Sequence, residues 1–397
     1  MKKKILIVYD FLSEIGGLER VLFFCAETLR KEYDVELVFS YVDEQKKHEI
    51  MKTLDLPQDI KITTLFPGKS ESFSLLKAFL LPSRLQKIEA DLIISNSFMS
   101  SVMANRYWKK KKVPYIIVMQ HPPNFLYSPI ALRNWVNKPS RFFAACLQLV
   151  KPFVKVRDRY AVRGAYSVLT NSTYTKNRSD KIYGIDSKVF YPPVNKVFKA
   201  MSKERAKKIL EVQGIKAPFI LSHGRIIPDK MPEYALQVGK ILESRGEPIT
   251  VILSGNVNQE MKDKLERQIS KDKIKNVRLL GRVSQETLLA LYTLAEVFIC
   301  TAPKEDFGLT PVEALACGTP VVAWNDSTGP GEIVLDGKNG LLAKPYDAQD
   351  MARKVEILLN KKFKSKKIKE IVNSAGRFSE EKIGHELIKV VKEVFGK

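Results

Sequence analysis

The sequence predicts an α/β protein with two doubly wound parallel sheets in tandem, and three observations support this fold class. Short apolar runs alternate with helical patterns along the 397 residues, as in right-handed β-α-β units. The apolar runs are nearly continuous Ile, Val and Leu, which is typical of strands covered on both faces. A Pro-Pro pair within Tyr191–Val194 interrupts the alternation, which then restarts, so this segment marks a domain boundary.

The first half, residues 1–190, is expected to form the N-terminal domain. Helical patterns cover Gly17–Lys31 and Arg141–Arg163. The predicted strands are Lys4–Tyr9, Val35–Ser40, Asp91–Ser95, Tyr115–Met119 and Ser167–Thr170.

The second half, residues 191–374, is expected to form the C-terminal domain. Its predicted strands are Phe219–Ser222, Thr250–Ser254, Val277–Leu280, Val297–Cys300 and Pro320–Ala323. Helical patterns cover Pro232–Arg245, Gln259–Lys271, Gln285–Ala295 and Pro311–Cys317. Because doubly wound sheets bind ligands at the carboxyl ends of their strands, we expect two such domains to bind ligands in a cleft between them.

The charge is unevenly distributed. The net charge is +22, from 66 Lys and Arg against 44 Asp and Glu, and residues 101–200 contain 19 basic but 3 acidic residues. No acidic residue lies between Asp91 and Asp158. This asymmetry predicts a surface that attracts anions, whether lipid headgroups, nucleic acid or phosphorylated substrates.

Composition excludes several classes of protein. An apolar fraction of 45% excludes a disordered chain. The four scattered cysteines support neither a disulfide framework nor a zinc site and fit a reducing compartment. The initial apolar run ends at Asp10 and is too short for a signal peptide, and no apolar stretch approaches the ~18 residues of a membrane span. We therefore expect a cytoplasmic protein that is soluble or peripherally attached.

The densest cluster of candidate site residues is the segment 304–322, which follows a predicted strand. Gly308 allows close backbone approach, Thr310 or its neighbour can cap the following helix, and Pro311 suits the first turn of that helix. Free N–H groups at such a helix start bind phosphate. We expect Glu313 in the first turn, where its carboxylate can accept hydrogen bonds from ribose hydroxyls, and Glu305 facing the same cleft. The alternative is a pair of capping carboxylates without a ligand.

A second cluster is Ser222–Lys230, again after a predicted strand. Arg225 and Lys230 can bind a diphosphate, because a guanidinium fork and an ammonium group together suit phosphate oxygens. The alternative is two surface cations.

Two shorter motifs lie in the first half. In Ile15–Arg20, Gly16 and Gly17 can let backbone N–H groups approach a phosphate or a sugar, although the GxGxxG fingerprint is absent and a turn without ligand remains open. In Gln120–Asn124, His121 can bond a sugar hydroxyl or act on a proton, or it can be structural.

Together these motifs resemble the donor-site signature of retaining glycosyltransferases of family 4, which have the GT-B fold of two Rossmann-like domains facing across a cleft. The match includes Glu305-x7-Glu313, the Gly-Gly-Leu-Glu-Arg segment, Gly224-Arg225 with Lys230, and Asn339-Gly340, in order along nearly the full chain. The stretch QHPPNFLYS is similar to a branch rich in mannosyltransferases. Met231 departs from the pattern, since a glycine often follows the lysine.

The resemblance implies roles for these residues. Glu305 would lie by the transferred sugar, Arg225 and Lys230 would hold the diphosphate, and His121 would contact the sugar; these four are the candidate catalytic residues. The segment Arg282–Glu286 would lie near the nucleobase. The candidate donor-binding residues are Gly16, Gly17, Arg225, Lys230, Val283, Phe307, Gly308, Leu309, Thr310 and Glu313.

The resemblance also implies the reaction and its partners. It implies a metal-independent hexosyl transfer with retention, from GDP-mannose or a UDP-sugar, without a cofactor, to a glycan or a lipid-diphosphate-linked acceptor. The last helix, about 375–397, would cross back to the first domain. Such acceptors bind mainly to the basic half, where Lys109–Lys112 and the region Arg133–Arg163 are candidates for a cationic face on an anionic membrane, with apolar Ser72–Pro82 beside it. The alternative is a solvated basic surface with Ser72–Pro82 in the core.

Two other classes of function stay open on the sequence. One is a GT-B enzyme with a soluble acceptor, or a phosphorylase, although no lysine is singled out for pyridoxal phosphate. The other is a nucleic-acid-binding protein, suggested by a pI of about 9.6. Against it, only Tyr107 and Trp108 adjoin the Lys109–Lys112 run, and no recognition motif appears. The Lys-rich stretch Lys361–Lys369 is interpreted as a solvated helix face or loop.

Overall fold

A computed structural model describes residues 2–12, 16–53, 60–67, 81–96, 98–127, 141–247, 249–360 and 362–396. The chain folds into two compact units: unit 1 is Met1–Pro192 with Ile383–Lys397, and unit 2 is Pro193–Lys382. The sequence predicts the boundary between the two domains after residue 190 and the return of the chain to the first domain at about residue 375.

Unit 1 is a seven-stranded, all-parallel sheet in the order β3-β2-β1-β4-β5-β6-β7. Its elements are β1 (Lys4–Leu12), α1 (Gly17–Leu29), β2 (Asp34–Val42), α2 (Glu44–Thr53), β3 (Lys61–Thr64), a 3-10 turn (Pro82–Lys87), β4 (Leu92–Ser95), α3 (Phe98–Lys111), β5 (Tyr115–Met119), α4 (Asn124–Tyr127), α5 (Arg141–Arg163), β6 (Ser167–Thr170), α6 (Thr173–Tyr183) and β7 (Lys188–Val189).

Unit 2 is a six-stranded parallel sheet in the order β10-β9-β8-β11-β12-β13. Its elements are α7 (Lys203–Val212), β8 (Phe219–His223), a 3-10 turn (Pro228–Lys230), α8 (Glu233–Ser244), β9 (Thr250–Ser254), α9 (Gln259–Lys271), β10 (Val277–Gly281), α10 (Gln285–Leu294), β11 (Val297–Ile299), α11 (Leu309–Ala316), β12 (Val321–Trp324), α12 (Gly329–Ile333), β13 (Gly340–Ala343), α13 (Ala348–Asn360), α14 (Phe363–Ala375) and a second 3-10 turn (Gly376–Phe378). Helix α15 (Glu380–Phe395) follows, and its residues from Ile383 belong to unit 1.

Side chains alternate between the two faces of the unit 1 sheet, as they must on strands with a two-residue period. On one face Ile7 and Ile94 pack with Leu22 of α1 and Leu387 of α15, and we call it the α1 face. The opposite face packs on α3. Both faces are covered, which explains why the central strands are apolar throughout. No helix among the described residues is long and apolar enough to cross a membrane.

The Lys-rich stretch Lys361–Lys369 is not a uniformly solvated face, and that expectation is wrong at Lys364. Lys361 lies outside the described residues, but Lys364 in α14 is only 8% exposed. Its ammonium donates to the carbonyls of Thr293 and Ala295 at 2.7 and 2.5 Å and to the Thr319 hydroxyl at 3.1 Å. Burial lowers the pKa of Lys364 to about 8. The buried cation therefore binds the carbonyl end of α10, where the helix dipole favours positive charge.

We expect Lys364→Met to remove a pH-dependent part of the stability of unit 2. Between pH 8 and about 10.5 the folded chain holds fewer protons at Lys364 than the unfolded chain, so wild-type stability rises with pH across this window, by up to about 3 kcal/mol. Thermal unfolding from pH 7 to 10.5 should show this rise in wild type and in Lys366→Met, whose side chain is exposed. Parallel profiles for the two Met variants would contradict the role of Lys364.

Candidate active site

The sequence-predicted site residues of unit 2 lie at one edge of its sheet. Arg225 follows β8, Val283 follows β10, and Glu305 follows β11. Because all these strands are parallel, the loops that leave their carboxyl ends emerge at the same edge. Strands β8 and β11 are direct neighbours in the sheet, so the loops carrying Arg225 and Glu305 start side by side.

Lys230 and Glu305 form an ion pair, and both side chains are partly buried. Lys230 ends the 3-10 turn Pro228–Lys230, whose last carbonyl accepts a hydrogen bond from the Thr301 hydroxyl at 3.1 Å. The next residue, Met231, has a φ of 47°, in the left-handed region that glycine adopts without strain. The turn therefore keeps the backbone conformation of a glycine at this position although the residue is methionine.

The loop between β11 and α11 is built on close backbone contact. Gly308 has a φ of 93° and immediately precedes α11. The Gly329 N–H donates to the Glu305 carbonyl at 3.0 Å, and a Cβ on Gly329 would lie 2.2 Å from the Phe307 Cα. The Asp326 carboxylate also accepts a hydrogen bond from the Lys304 N–H at 3.3 Å. These contacts fix the backbone that carries Glu305.

Two details of this segment differ from the sequence prediction. The helix begins at Leu309 with Gly308 as its N-cap, so Thr310 lies inside the first turn and is not the cap. Glu313 is the fifth residue of α11 and lies beyond the first turn. Its carboxylate is buried and accepts a hydrogen bond from the Tyr292 hydroxyl at 2.9 Å. The sequence offered no reason to connect Tyr292 with this site.

Two further donor-side positions, Arg225 and Val283, lie in loops in which the following residue is hydrogen-bonded. Arg225 is exposed, and its backbone position is fixed because the following residue, Ile226, donates to the Asn256 carbonyl at 2.8 Å. Val283 is half-buried in the loop that leads to α10. The Ser284 hydroxyl caps that helix by accepting the Thr287 N–H at 3.1 Å.

The candidate residues of unit 1 lie at the carboxyl edge of its own sheet. Gly16 is the N-cap of α1, and its N–H donates to the buried Glu19 carboxylate at 2.8 Å. The Tyr9 hydroxyl donates to the same carboxylate at 3.2 Å. Gly17 is exposed, whereas Ile15 lies outside the described residues. The Gly16 amide is therefore already bonded within the protein.

His121 follows β5 and is exposed, with its Nδ1 3.1 Å from the Pro122 carbonyl oxygen. Beside it, the Gln120 side-chain oxygen accepts a hydrogen bond from the Asn171 amide at 3.2 Å. On sequence alone, Asn171 has no role beyond the end of the segment Ala165–Asn171, which resembles the mannosyltransferase branch, because an asparagine after a strand carries no chemical signal of its own. Among the described residues, no three or more His, Cys, Asp or Glu side chains are grouped to hold a metal ion.

We expect Gly329→Ala to displace the Glu305 loop, because the new methyl group would overlap the Phe307 backbone. Thermal unfolding should show a loss of about 5 °C. Gly331→Ala is the matched control, since its Cβ would have no atom closer than 3.8 Å. Equal melting temperatures for the two variants would show that this contact does not fix the loop.

The chain matches two family models, one on each unit. The model described as Glycosyltransferase Family 4 matches residues 15–197, and the model described as Glycosyl transferases group 1 matches residues 204–371.

Individual proteins show the same relationship. An uncharacterised glycosyltransferase of Methanocaldococcus jannaschii is 28% identical over 202 residues, 51% of this chain and 52% of its own. The GDP-Man:Man(3)GlcNAc(2)-PP-Dol alpha-1,2-mannosyltransferase of Dictyostelium discoideum is 30% identical over 287 residues, 67% of this chain and 55% of its own. The chain thus spans about half the length of the curated relatives it matches.

The fold has counterparts among solved structures. HepE of Anabaena, solved in complex with UDP, superposes with a TM-score of 0.77 at 20% identity, covering 98% of this chain and 100% of its own. This likeness shows the fold, which is GT-B. Since the two family models match in order along both parallel-sheet units, the chain belongs to the family 4 glycosyltransferases.

Proposed function

We propose that the protein is a retaining, metal-independent glycosyltransferase that moves a hexose from a nucleotide diphosphate sugar to a glycan or lipid-linked acceptor. The observation that carries the proposal is the Lys230–Glu305 pair on neighbouring loops at the carboxyl edge of the unit 2 sheet. A cation for phosphate and a carboxylate for sugar hydroxyls are the two groups that a sugar diphosphate needs at its reacting bond.

Cleavage of the anomeric C–O bond builds negative charge on the diphosphate and positive charge on the sugar. Lys230 and the exposed Arg225 stabilise the former together with N–H groups at the start of α11. Glu305 accepts hydrogen bonds from the sugar hydroxyls. With retention, the acceptor oxygen bonds to the anomeric carbon on the face that the diphosphate leaves, and its proton passes to a diphosphate oxygen.

The ion pair supports a sequence in which donor binding comes first and frees Lys230 and Glu305 for the transfer step. In the unliganded protein Lys230 and Glu305 neutralise each other, so neither charge is left uncompensated in a partly buried position. A bound diphosphate competes for Lys230 and releases the Glu305 carboxylate to the hydroxyls of the same donor. Donor binding thereby prepares both groups at once.

Mannose from GDP-mannose is the favoured donor. It is supported by the Dictyostelium relative, whose name specifies GDP-mannose. UDP-sugars stay in the proposal because the structurally similar HepE was solved with UDP. Thermal-shift screening against GDP, UDP and ADP separates the bases, since a ligand that binds the folded state raises its melting temperature.

We expect Glu305→Gln to lower the transfer rate at least about 100-fold, while the melting-temperature shift with the preferred nucleoside diphosphate is at least as large as in wild type because Lys230 no longer pairs with a carboxylate. The carboxylate contacts the sugar, whereas the nucleotide is held by other groups. Glu356→Gln is the control, because it removes an ion-paired carboxylate elsewhere in unit 2, 2.9 Å from Arg245. Full turnover by Glu305→Gln would refute the role of Glu305.

We also propose that unit 1 docks peripherally on an anionic membrane surface on the cytoplasmic side, through α5. Phe153, Val156 and Tyr160 are 74%, 52% and 63% exposed and lie along one side of this helix. The Lys109 ammonium lies 5.5 Å from the centre of the Tyr160 ring. Apolar side chains flanked by cations are the composition that binds an anionic interface.

No acidic side chain of α5 lies at the surface to neutralise its basic residues. Asp158 is the single acidic residue of α5, and it is buried beneath the helix, where its carboxylate accepts the hydroxyls of Tyr127 and Tyr183 at 2.6 and 2.8 Å. Burial raises the pKa of Asp158 to about 6. Of the residues expected in this face, Ser72–Leu80, Arg133 and Lys138 lie outside the described residues.

We expect the protein to co-sediment with phosphatidylglycerol vesicles at low salt and to be released as salt rises. The double variant Phe153→Ser, Tyr160→Ser should bind about tenfold more weakly. Val212→Ser, which removes an 84% exposed apolar side chain from unit 2, should bind like wild type. Equal binding to phosphatidylglycerol and phosphatidylcholine vesicles would refute docking on an anionic membrane. It would favour a soluble acceptor.

A further inference from the structure

One buried amide of unit 1 has no hydrogen-bond partner among the described residues. Asn96 is 4% exposed, and neither its side-chain oxygen nor its nitrogen is bonded. A buried polar group in this state costs roughly the free energy of its lost hydration, so native proteins rarely keep one without a use.

Other buried asparagines of this protein show what a structural role looks like. The Asn276 amide nitrogen donates to the carbonyls of Gly239 and Ile249 at 2.9 and 3.1 Å. The Asn105 amide nitrogen donates to the Tyr115 hydroxyl at 2.9 Å. Both side-chain nitrogens connect separate segments, and of these two side chains only the oxygen of Asn276 is buried without a partner in the described chain, whereas neither polar atom of the Asn96 side chain has one.

The position of Asn96 is that of a ligand-binding residue. It directly follows β4 at the carboxyl edge of the sheet, and its backbone N–H donates to the Val8 carbonyl at 3.2 Å. By strand alternation its side chain continues the row of Ile94, on the α1 face. The register ends with Ser95 opposite Val8 of β1 and Ile117 of β5, and extending it by one residue puts Asn96 opposite Tyr9 and Val118.

Two more amides extend this row. Val118 pairs with Leu169 in the register, and two residues further along the chain from each stand Gln120 and Asn171, which bond each other at 3.2 Å. Both continue the α1 face, on which Val118 and Leu169 pack. Three neutral amides thus follow three adjacent strands, β4, β5 and β6, on one face of the sheet.

We propose that Asn96, with Gln120 and Asn171 beside it, binds hydroxyl groups of the acceptor sugar. An amide offers both a donor and an acceptor, which matches a hydroxyl that also does both, whereas a phosphate only accepts. The inference rests on the proposed function, because a transferase whose donor groups lie in unit 2 still needs a site for its second substrate. Gln120 and Asn171 are positioned by the hydrogen bond between them, whereas the side chain of Asn96 has no hydrogen-bond partner among the described residues.

The test separates stability from binding. Asn96→Leu removes a buried unsatisfied amide, so its melting temperature should equal or exceed that of wild type, whereas Asn105→Leu should melt lower. Saturation-transfer NMR with methyl α-D-mannoside and other methyl hexosides should give a signal with wild type that weakens about tenfold or more in Asn96→Leu. In turnover assays, acceptor-independent nucleotide release should persist while acceptor-dependent release falls to a similar degree.

Three results would overturn the inference: an unchanged glycoside signal in Asn96→Leu, a melting temperature as low as that of Asn105→Leu, or no glycoside signal with wild type. Failure of the proposed function looks different. It would appear as no nucleotide release from any sugar nucleotide by wild type, and the glycoside signal and the melting temperatures would still decide the role of Asn96.

Discussion

The contact on which the candidate site depends is the ion pair between Lys230 and Glu305, formed by residues 75 positions apart in the sequence. It exists because β8 and β11 are adjacent parallel strands, so their outgoing loops emerge together. Neither loop is an α-helix or a strand at the paired residue, so each needs contacts that fix its backbone. The Thr301 hydroxyl holds the turn that ends at Lys230, and Gly329 holds the backbone at Glu305. The pairing of two opposite charges also offsets much of the hydration free energy that each charge loses on partial burial.

The first helices after β1 and after β11, α1 and α11, both begin after a glycine N-cap but differ in whether a carboxylate already accepts a backbone N–H there. The N-cap of α11 is Gly308, which has no side chain to accept a hydrogen bond from the first N–H groups of the helix. These N–H groups can therefore donate to a bound anion. At α1 the N-cap is also a glycine, but the Glu19 carboxylate accepts the Gly16 N–H. An anion at α1 would therefore meet a buried negative charge. The contrast favours α11 as the helix end that carries the diphosphate charge, with Gly16 and Gly17 in a shaping role.

Much of the fold could be predicted because the central strands are apolar on both faces. Tyr115–Met119, Ser167–Thr170 and Thr250–Ser254 were predicted with the bounds that the structure shows. The three strands that were missed, β3, β7 and β13, lie at sheet edges and are short: β3 reads Lys-Ile-Thr-Thr and is half-exposed, β7 has two residues, and β13 has four. An edge strand needs no apolar face on both sides, so its sequence lacks the signal on which the prediction rested.

Details of the site could be predicted less well, since tertiary contacts decide them. Thr310 and Gly308 are about equal as N-caps by propensity, so propensity does not choose between them; the close packing of Gly329 on Phe307 and the positive φ of Gly308 set where the helix begins. Lys364 looks like its neighbours in the sequence, and only the α10 carbonyls some 70 residues away distinguish it. Motif spacing thus identifies which residues gather at an edge, while partners remote in sequence decide their hydrogen bonds.

The buried polar side chains of this protein differ in whether they have hydrogen-bond partners. Asp158 accepts two tyrosine hydroxyls and Lys364 donates to three oxygens, and in both cases burial shifts the pKa towards the neutral form although the charged group is hydrogen-bonded. Asn96 differs from Asp158 and Lys364 because neither polar atom of its side chain has a hydrogen-bond partner in the described part of the chain, although it is neutral and lies at the carboxyl edge of a sheet. Packing does not explain Asn96, because leucine would fill the same space without a desolvation cost. A polar ligand at that edge supplies the missing partners and accounts for the asparagine.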